Sequence, residues 1–164
     1  QVIATDAMVA PEVAEAVSDG QVIGFAPKPG RATEAERALL GSHERYTCWR
    51  RGELPAGWHY GSHPRVPPIV CQMAPGWDAV WRHKYDWLQA NRRNDTRGSH
   101  GYDPDLPSMR ATFIAKGPAF RDGVRLPVFD NVDVYPLLMR LLGLPAEPND
   151  GDITPLLPAL QDSP

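Results

Sequence analysis

The spacing of apolar residues predicts a helix and then a strand near the start of the chain. Val9, Val13 and Val17 lie four residues apart, which is the spacing of one helical face, and Pro11 suits a first helical position. We therefore predict a helix over residues 11–19. Residues 21–26 are mostly apolar and are followed closely by two prolines, a pattern typical of a buried strand.

One capping pattern and three apolar runs predict further regular structure. Thr33 and Glu36 have the types and the spacing of a capping box, so a second helix is expected to begin there and to end at Gly41. Runs that are rich in β-branched or bulky residues predict strands at 46–50, 69–73 and 111–115.

The last clear element is an amphipathic helix over residues 134–142. Its apolar residues repeat along one helical face: Val134, Leu137, Leu138, Leu141 and Leu142. Asp133 is expected to cap the start of this helix, and Gly143 to end it. Because helices and strands alternate through the first part of the chain, the expected class is α/β with a mixed sheet.

Two segments show no regular pattern. Residues 74–110 contain three tryptophans and two histidines, and a loop of this length in a compact domain is usually functional or disordered. The tryptophans argue against disorder. Four prolines follow Ala146, so the last residues are expected to form an extended wrap or a loose end.

Composition narrows the class of protein. The 164 residues are 42% hydrophobic and 23% charged, which suits one globular core and excludes disorder throughout. A formal net charge of −3 and only two basic pairs argue against binding to a nucleic-acid polymer. No stretch approaches the ~20 apolar residues of a membrane span. The chain begins at Gln1 rather than Met, so a processed or truncated product is expected.

The two cysteines, Cys48 and Cys71, both lie in apolar runs. They could form one bridge, but two cysteines do not make a disulfide framework. We expect both to be free, buried and inert.

Among five histidines, His100 has the most suggestive surroundings. Gly98 and Gly101 free the backbone on both sides, so that a tight loop can push one imidazole into a cleft. Imidazole is a common zinc ligand, and three carboxylates are near in sequence: Asp95, Asp103 and Asp105. On spacing alone, His100 is either a metal ligand or an ordinary loop residue. His59 and His63 are four apart, but nearby glycines and prolines argue against a helical ligand pair.

The residues around His100 resemble a known family signature. The motif Gly-Ser-His-Gly-Tyr-Asp at 98–103 is continued by Ala-Lys-Gly-Pro-Ala-Phe at 115–120 and by Phe-Asp-Asn-Val-Asp-Val-Tyr-Pro at 129–136. Together they resemble the C-terminal part of the nucleotide pyrophosphatase/phosphodiesterase family, within the alkaline phosphatase superfamily. Glu-Leu-Pro at 53–55 and Ala-Pro-Gly-Trp at 74–77 also fit, and the resemblance runs from about Val22 to Leu144.

The resemblance implies a fold and an activity. Residues 1–164 would be the C-terminal part of a single catalytic α/β domain, an alkaline-phosphatase-like mixed-sheet domain, with 146–164 as an extended tail. Family members hydrolyse phosphodiester or pyrophosphate bonds with two zinc ions, six Asp and His ligands and a threonine nucleophile. The last ligand in chain order corresponds to His100. The implied substrate is a small nucleotide or phosphodiester.

Departures from the family pattern limit what this chain can do alone. Pro104 stands where the family usually has Asn. The threonine nucleophile and the other five ligands lie upstream in the family, and Thr5-Asp6-Ala-Met8 lacks the histidine of the nearest upstream motif. The isolated chain is therefore expected to be inactive and to need the missing N-terminal half as its partner. Low cysteine content is similar to that of exported bacterial members, which implies a periplasmic or extracellular location.

Two other classes remain open. The chain could be a non-catalytic binding or structural module in which the tryptophans 77, 81 and 87 form a contact surface and His100 is merely packed. It could also belong to a sulfatase or phosphomonoesterase of the same superfamily. Zinc dependence separates enzyme from module, and activity on diesters separates the enzymes.

Overall fold

The computed structural model describes residues 1–91 and 98–161, which form two compact units divided between Ala111 and Thr112. The first unit contains seven strands and two α-helices among its described residues. The strands are β1 (Val2–Ala4), β2 (Ala14–Ala16), β3 (Val22–Pro27), β4 (Gly41–Ser42), β5 (Tyr46–Arg50), β6 (Ile69–Met73) and β7 (Asp78–Val80). The helices are α1 (Ala32–Leu39) and α2 (Arg82–Ala90).

Both antiparallel and parallel pairing occur in the first unit. Five strands form an antiparallel sheet in the order β2-β3-β6-β5-β4, while β1 and β7 form a parallel pair. Gly20, just before β3, bridges Ala79 of β7 through two backbone hydrogen bonds. This mixed α/β architecture confirms the predicted fold class.

One face of the five-stranded sheet packs against α1 to form the main core. Alternate residues of β3 and β6 are fully buried there, because successive side chains of a strand point to opposite faces. The cluster includes Ile23, Phe25, Ile69, Cys71 and Met73 from the strands, and Ala35 and Leu39 from α1. The predicted strands at 46–50 and 69–73 are confirmed with the same bounds, and the one at 21–26 is shifted by one residue.

The predicted helix over residues 11–19 is wrong, because this segment joins the sheet as β2. Val13 and Ala14 are both buried, while Val17 is 49% exposed, so the three valines do not share one buried face. The carbonyl of Val13 accepts from the amide of Lys28, and the amide of Val17 donates to the carbonyl of Gly24. Pairing with β3 thus satisfies the backbone groups that a helix would have satisfied internally.

Helix α1 is present, but the predicted capping box is not. The helix begins at Ala32, and its N-cap residue, Arg31, makes no side-chain cap hydrogen bond. Glu36 instead accepts two hydrogen bonds from the Arg50 guanidinium, at 2.9 and 2.7 Å. The helix ends at Leu39, and Gly41 belongs to β4 rather than to a helix end.

The predicted strand at 111–115 is also wrong. All five residues are exposed and have no regular secondary structure, and Ile114 is 87% exposed. Conversely, the patternless segment 74–110 contains β7 and α2. Leu88 is the buried residue of α2, so this helix has no apolar stripe by which to recognise it.

The two cysteines form a disulfide, which corrects the prediction that both are free. Cys48 in β5 lies directly opposite Cys71 in β6, with their Cα atoms 4.0 Å apart. They are 2% and 0% exposed, so burial was predicted correctly. Cross-strand neighbours approach closely enough for a bridge, but the sequence does not show which residues face each other.

The second unit is built around the predicted last helix, α3 (Val134–Leu142), which ends at Gly143 with a φ of 65° as expected. Leu137 is buried with Leu156, which lies in a 3-10 helix at Thr154–Ala159 within the expected tail, and with Leu160, which follows that helix. The rest of the predicted stripe is less buried: Leu138, Leu141 and Leu142 are exposed.

Asp133 does not cap α3 with its side chain. Its carboxylate accepts hydrogen bonds from the backbone amides of Asp130 and Asp152, at 3.1 and 2.8 Å. It thereby joins the turn before α3 to the segment that leads into the last 3-10 helix. The longest helices in the two described ranges have nine residues, and none qualifies as a membrane span.

Candidate functional site

His100 lies in an exposed loop of the first unit. Its imidazole is exposed, as are Gly98 and Gly101, whereas Ser99 and Tyr102 are half-buried. Gly101 has a φ of +89°, a conformation that side chains rarely adopt, which accounts for glycine there. The loop therefore presents its imidazole outward while its neighbours face the body of the unit.

Two glutamine side chains hold the loop on either side of His100. Gln21 donates from Nε2 to the hydroxyl of Ser99 and to the carboxylate of Asp78. Gln72 donates from Nε2 to the carbonyl of Gly101, at 3.3 Å, and to that of Gln21, at 3.2 Å.

Tyr102 supplies a third anchor. Its hydroxyl lies 3.1 Å from the carbonyl of Trp77, to which it donates, and 3.5 Å from the carboxylate of Asp78. Burial and the nearby negative charge of Asp78 raise the pKa of Tyr102 above its usual value, so the phenol stays protonated and can donate at neutral pH.

Of the carboxylates near His100 in sequence, the two that the structure describes, Asp103 and Asp105, do not form a ligand set with it. Asp103 accepts a hydrogen bond from the backbone amide of Asp105, at 3.0 Å, and so stabilises a local turn. Asp105 is exposed, and Asp95 lies outside the described residues. Within residues 1–91 and 98–161, no group of three His, Cys, Asp or Glu side chains is placed to hold a metal ion.

The site therefore fits one ligand position of a zinc centre and not a complete centre. An exposed imidazole on an anchored loop is a suitable nitrogen donor for zinc. A catalytic zinc needs about three protein ligands, and the described part of this chain brings no such group together.

Three of the other four histidines make local contacts or end a local turn. His43 stacks on Tyr46 with ring centroids 4.3 Å apart, and its Nε2 lies 2.8 Å from the carbonyl of Leu39. His63 accepts from the amide of Arg65. His59 ends a short 3-10 turn in a left-handed conformation, so the spacing of His59 and His63 is not that of a helical pair.

The three tryptophans of the patternless segment are in different environments. Trp77 packs against the main core, and the Arg45 guanidinium lies 4.7 Å from its ring centroid. Trp81 and Trp87 are 39% and 52% exposed, and they line a shallow cavity of about 400 Å³ with Asp19, His83 and Lys84.

A family model provides the decisive comparison. The model described as type I phosphodiesterase/nucleotide pyrophosphatase matches residues 1–103, and so includes the whole Gly-Ser-His-Gly-Tyr-Asp motif. The chain belongs to this family. The resemblance seen in the sequence motifs is thereby confirmed.

Individual relatives agree with this assignment. Human ectonucleotide pyrophosphatase/phosphodiesterase family member 5 is 33% identical over 135 residues, which are 82% of this chain and 27% of the relative. Human family member 7 is 35% identical over 134 residues, 82% of this chain and 28% of the relative. The chain thus spans about a quarter of the length of the curated relatives that it matches.

Solved structures of relatives share the fold. The match to the structure of human family member 5 covers 98% of this chain and 41% of the human chain, with a TM-score of 0.84 and 28% identity. An inactive variant of the murine protein in complex with AMP gives a TM-score of 0.83 at 32% identity, with the same coverage.

The residues that anchor the loop were not identified from the sequence. Gln21, Gln72 and Asp78 are 78, 29 and 24 residues from their loop partners, and no local spacing connects them. The available signal was that Gln21 and Gln72 lie at or next to strands that were predicted correctly.

Proposed function

We propose that this chain is the C-terminal part of the catalytic domain of a zinc-dependent phosphodiesterase or nucleotide pyrophosphatase. The supporting observation is that His100 is exposed on an anchored loop, inside the range that the family model matches. The domain extends over residues 1–164, including the tail from 146. The reaction is hydrolysis of phosphodiester or pyrophosphate bonds, through a threonine nucleophile that lies outside this chain.

His100 contributes a metal ligand in this proposal. Its imidazole can direct a nitrogen lone pair outward, because the loop is fixed by the residues on either side. Zinc, with two ions expected in the complete enzyme, would lower the pKa of the nucleophile and balance charge on the phosphoryl oxygens. The remaining ligands belong to the N-terminal half of the same enzyme.

The proposed substrate is a small nucleotide or another phosphodiester. A murine relative of the same fold was solved with AMP, which supports a nucleotide. The proposed location is the periplasm or the exterior of the cell. A disulfide suits an oxidising compartment, and the names of the relatives describe ectonucleotide enzymes.

The test is the replacement His100→Ala in a protein that includes the upstream half. We expect loss of bound zinc, measured by elemental analysis. Hydrolysis of bis(p-nitrophenyl) phosphate should fall by at least about tenfold, because removing a metal ligand disrupts the charge stabilisation at phosphorus. His63→Ala is the matched control, since His63 also follows Gly-Ser and is exposed.

Full zinc content and full diesterase activity in His100→Ala would refute the ligand assignment. The corresponding phosphate monoester and sulfate ester should be poorer substrates than the diester. A preference for either of them would instead indicate a phosphomonoesterase or a sulfatase.

A second candidate function is a non-catalytic contact module. The exposure of Trp81 and Trp87 favours it, because tryptophan more often fills cores. If this candidate is correct, the protein with its upstream half binds no zinc, and His100→Ala changes nothing. Zinc content therefore separates the two candidates before any partner is known.

A further inference from the structure

We infer that Gln21, Gln72, Asp78 and Tyr102 form a positioning network that holds the His100 loop in one conformation. The inference rests on the proposed function in one respect, namely that His100 is the metal ligand in this loop. None of the four is itself proposed to touch metal or substrate, so each acts through the loop.

The network starts from backbone that the sheet has already fixed. Gln72 lies within β6 and is paired with Val22 of β3, and Asp78 opens β7. The carbonyl of Gln21 accepts from the amide of Met73, at 2.8 Å, as well as from the side chain of Gln72. Side chains that leave such positions have a rigid base, which lowers the entropy lost when they form hydrogen bonds.

The contacts reach the loop on both sides of His100. Ser99, just before it, is bound by Gln21. Gly101, just after it, is bound by Gln72, and Tyr102 is bound to Trp77. This arrangement restrains one residue before His100 and two residues after it, while leaving the imidazole itself exposed.

Asp78 joins the two arms of the network. Its Oδ1 accepts from Gln21, and the Tyr102 hydroxyl lies 3.5 Å away. A charged acceptor strengthens the hydrogen bonds that it receives. Gln21 thereby connects, through one amide group, the carboxylate of β7 and the hydroxyl that precedes His100.

Polar contacts have to hold this loop, because apolar burial is small there. Gly98, His100 and Gly101 are exposed, and the two glycines raise the backbone entropy of the free loop. One hydrogen bond typically shifts a local equilibrium by a factor of about 2 to 10. Three anchors together are therefore enough to keep the loop in one main conformation.

The first variant to test is Gln72→Glu, which keeps the size of the side chain and replaces its amide donor with an acceptor. Gln89→Glu makes the same change at an exposed position of α2 and serves as the control. In the metal-free 164-residue chain, the backbone order parameters of residues 99–102, measured by nitrogen relaxation, should fall from about 0.85 towards about 0.6 in Gln72→Glu. Those of β5 should stay unchanged.

The second variant, Tyr102→Phe, removes a single oxygen atom and should leave the fold intact. Tyr60→Phe, at a 49% exposed ring, is its control. The same fall in the loop order parameters is expected in Tyr102→Phe. In both test variants, the order parameter of the His100 ring, measured by carbon relaxation, should fall, which a role confined to stability would not produce.

Unchanged order parameters of the loop backbone and of the His100 ring in both test variants would refute the network. That result would leave the proposed function intact, because zinc retention is measured separately. Conversely, a loosened loop with no zinc site in the complete protein would support the network and refute the role of His100 as a ligand. Loosening in the two control variants as well would also count against the network.

Discussion

At the scale of single residues, several side chains connect segments that are far apart in the sequence. Arg50 binds Glu36 and Glu53 together, and these two carboxylates raise the pKa of its guanidinium while Arg50 lowers that of Glu36. Arg82 binds Asp6 across 76 positions. All these groups are at least partly exposed, so each pair contributes little stability on its own, and its geometric role is the larger one.

Gly24 is a position where a single methyl group should matter. It is buried in β3, and a Cβ placed there would lie 2.8 Å from Pro67 Cβ and 3.0 Å from Val17 Cγ2. We expect Gly24→Ala to lower the free energy of unfolding by about 1–3 kcal/mol through overpacking.

Urea denaturation provides the measurement, with Gly52→Ala as the control. Nothing lies within 4 Å of a Cβ at Gly52, so that change should stay within about 0.5 kcal/mol. Equal stability of the two variants would show that Pro67 can move aside.

Asp6 should make the free energy of unfolding depend on pH in the acidic range. The Arg82 guanidinium, at 2.9 and 2.7 Å, holds the pKa of Asp6 below its usual value. A carboxyl whose folded pKa is depressed contributes stability above its unfolded pKa and loses it as pH falls through the folded one. The contribution should therefore be complete above about pH 4 and disappear below it.

Asp6→Asn should consequently lose less stability than the parent chain between about pH 6 and about pH 3, by less than ~1 kcal/mol for a partly exposed pair. The midpoint of urea unfolding at both pH values measures this. Arg82→Gln, which removes the partner of Asp6, should reduce the pH dependence in the same way. An identical loss in the parent and in Asp6→Asn would contradict the assignment.

At the scale of elements, strands β5 and β6 and helix α3 could be predicted because their own residues determine them. β6 is buried at four of its five positions, and α3 carries its apolar residues at helical spacing. The segment that contains β2 was predicted to be a helix, because the valines on either side of β2 have helical spacing, while the pairing of β2 with β3 depends on residues further along the chain.

In the candidate site, too, features determined by neighbouring residues could be predicted and features determined by distant residues could not. His100 was found from a local motif of six residues. Its anchors, the disulfide partner of Cys48 and the ion pair of Glu36 all depend on which strands lie side by side. A single sequence does not specify that order directly, so these contacts required the structure.

The disulfide should stabilise the central part of the sheet. It joins β5 to β6 across 23 positions, and such a link restricts the unfolded chain. Unfolding the same chain in urea with and without a strong thiol reductant should show a difference of about 2–4 kcal/mol. Two titratable thiols in the unreduced, denatured protein would show instead that the bond does not form.

At the scale of the whole molecule, two compact units divide the family motifs between them. The first unit contains the His100 loop and the range matched by the family model, and the second contains the helix and tail that follow. The match to 41% of a solved relative shows how much of that fold these residues represent. In neither unit do the described residues bring together three side chains that could hold a metal ion.

The isolated 164-residue chain should therefore have no phosphodiesterase activity. One imidazole cannot retain a catalytic zinc, which needs about three protein ligands. Hydrolysis of bis(p-nitrophenyl) phosphate by the purified chain, with added zinc, measures this, and the protein with its upstream half is the positive control. Metal-dependent turnover by the chain alone would overturn the proposed division of ligands.

The covalent bond between β5 and β6 also determines what happens if the backbone is cut between them. Residues 51–68 form a long connection between these strands, with exposed positions such as Gly52, His59 and Arg65. A protease that cleaves after Arg65 would produce two pieces that remain attached through Cys48 and Cys71. The nicked protein would run as one band on a denaturing gel and separate into two bands only when thiol is added.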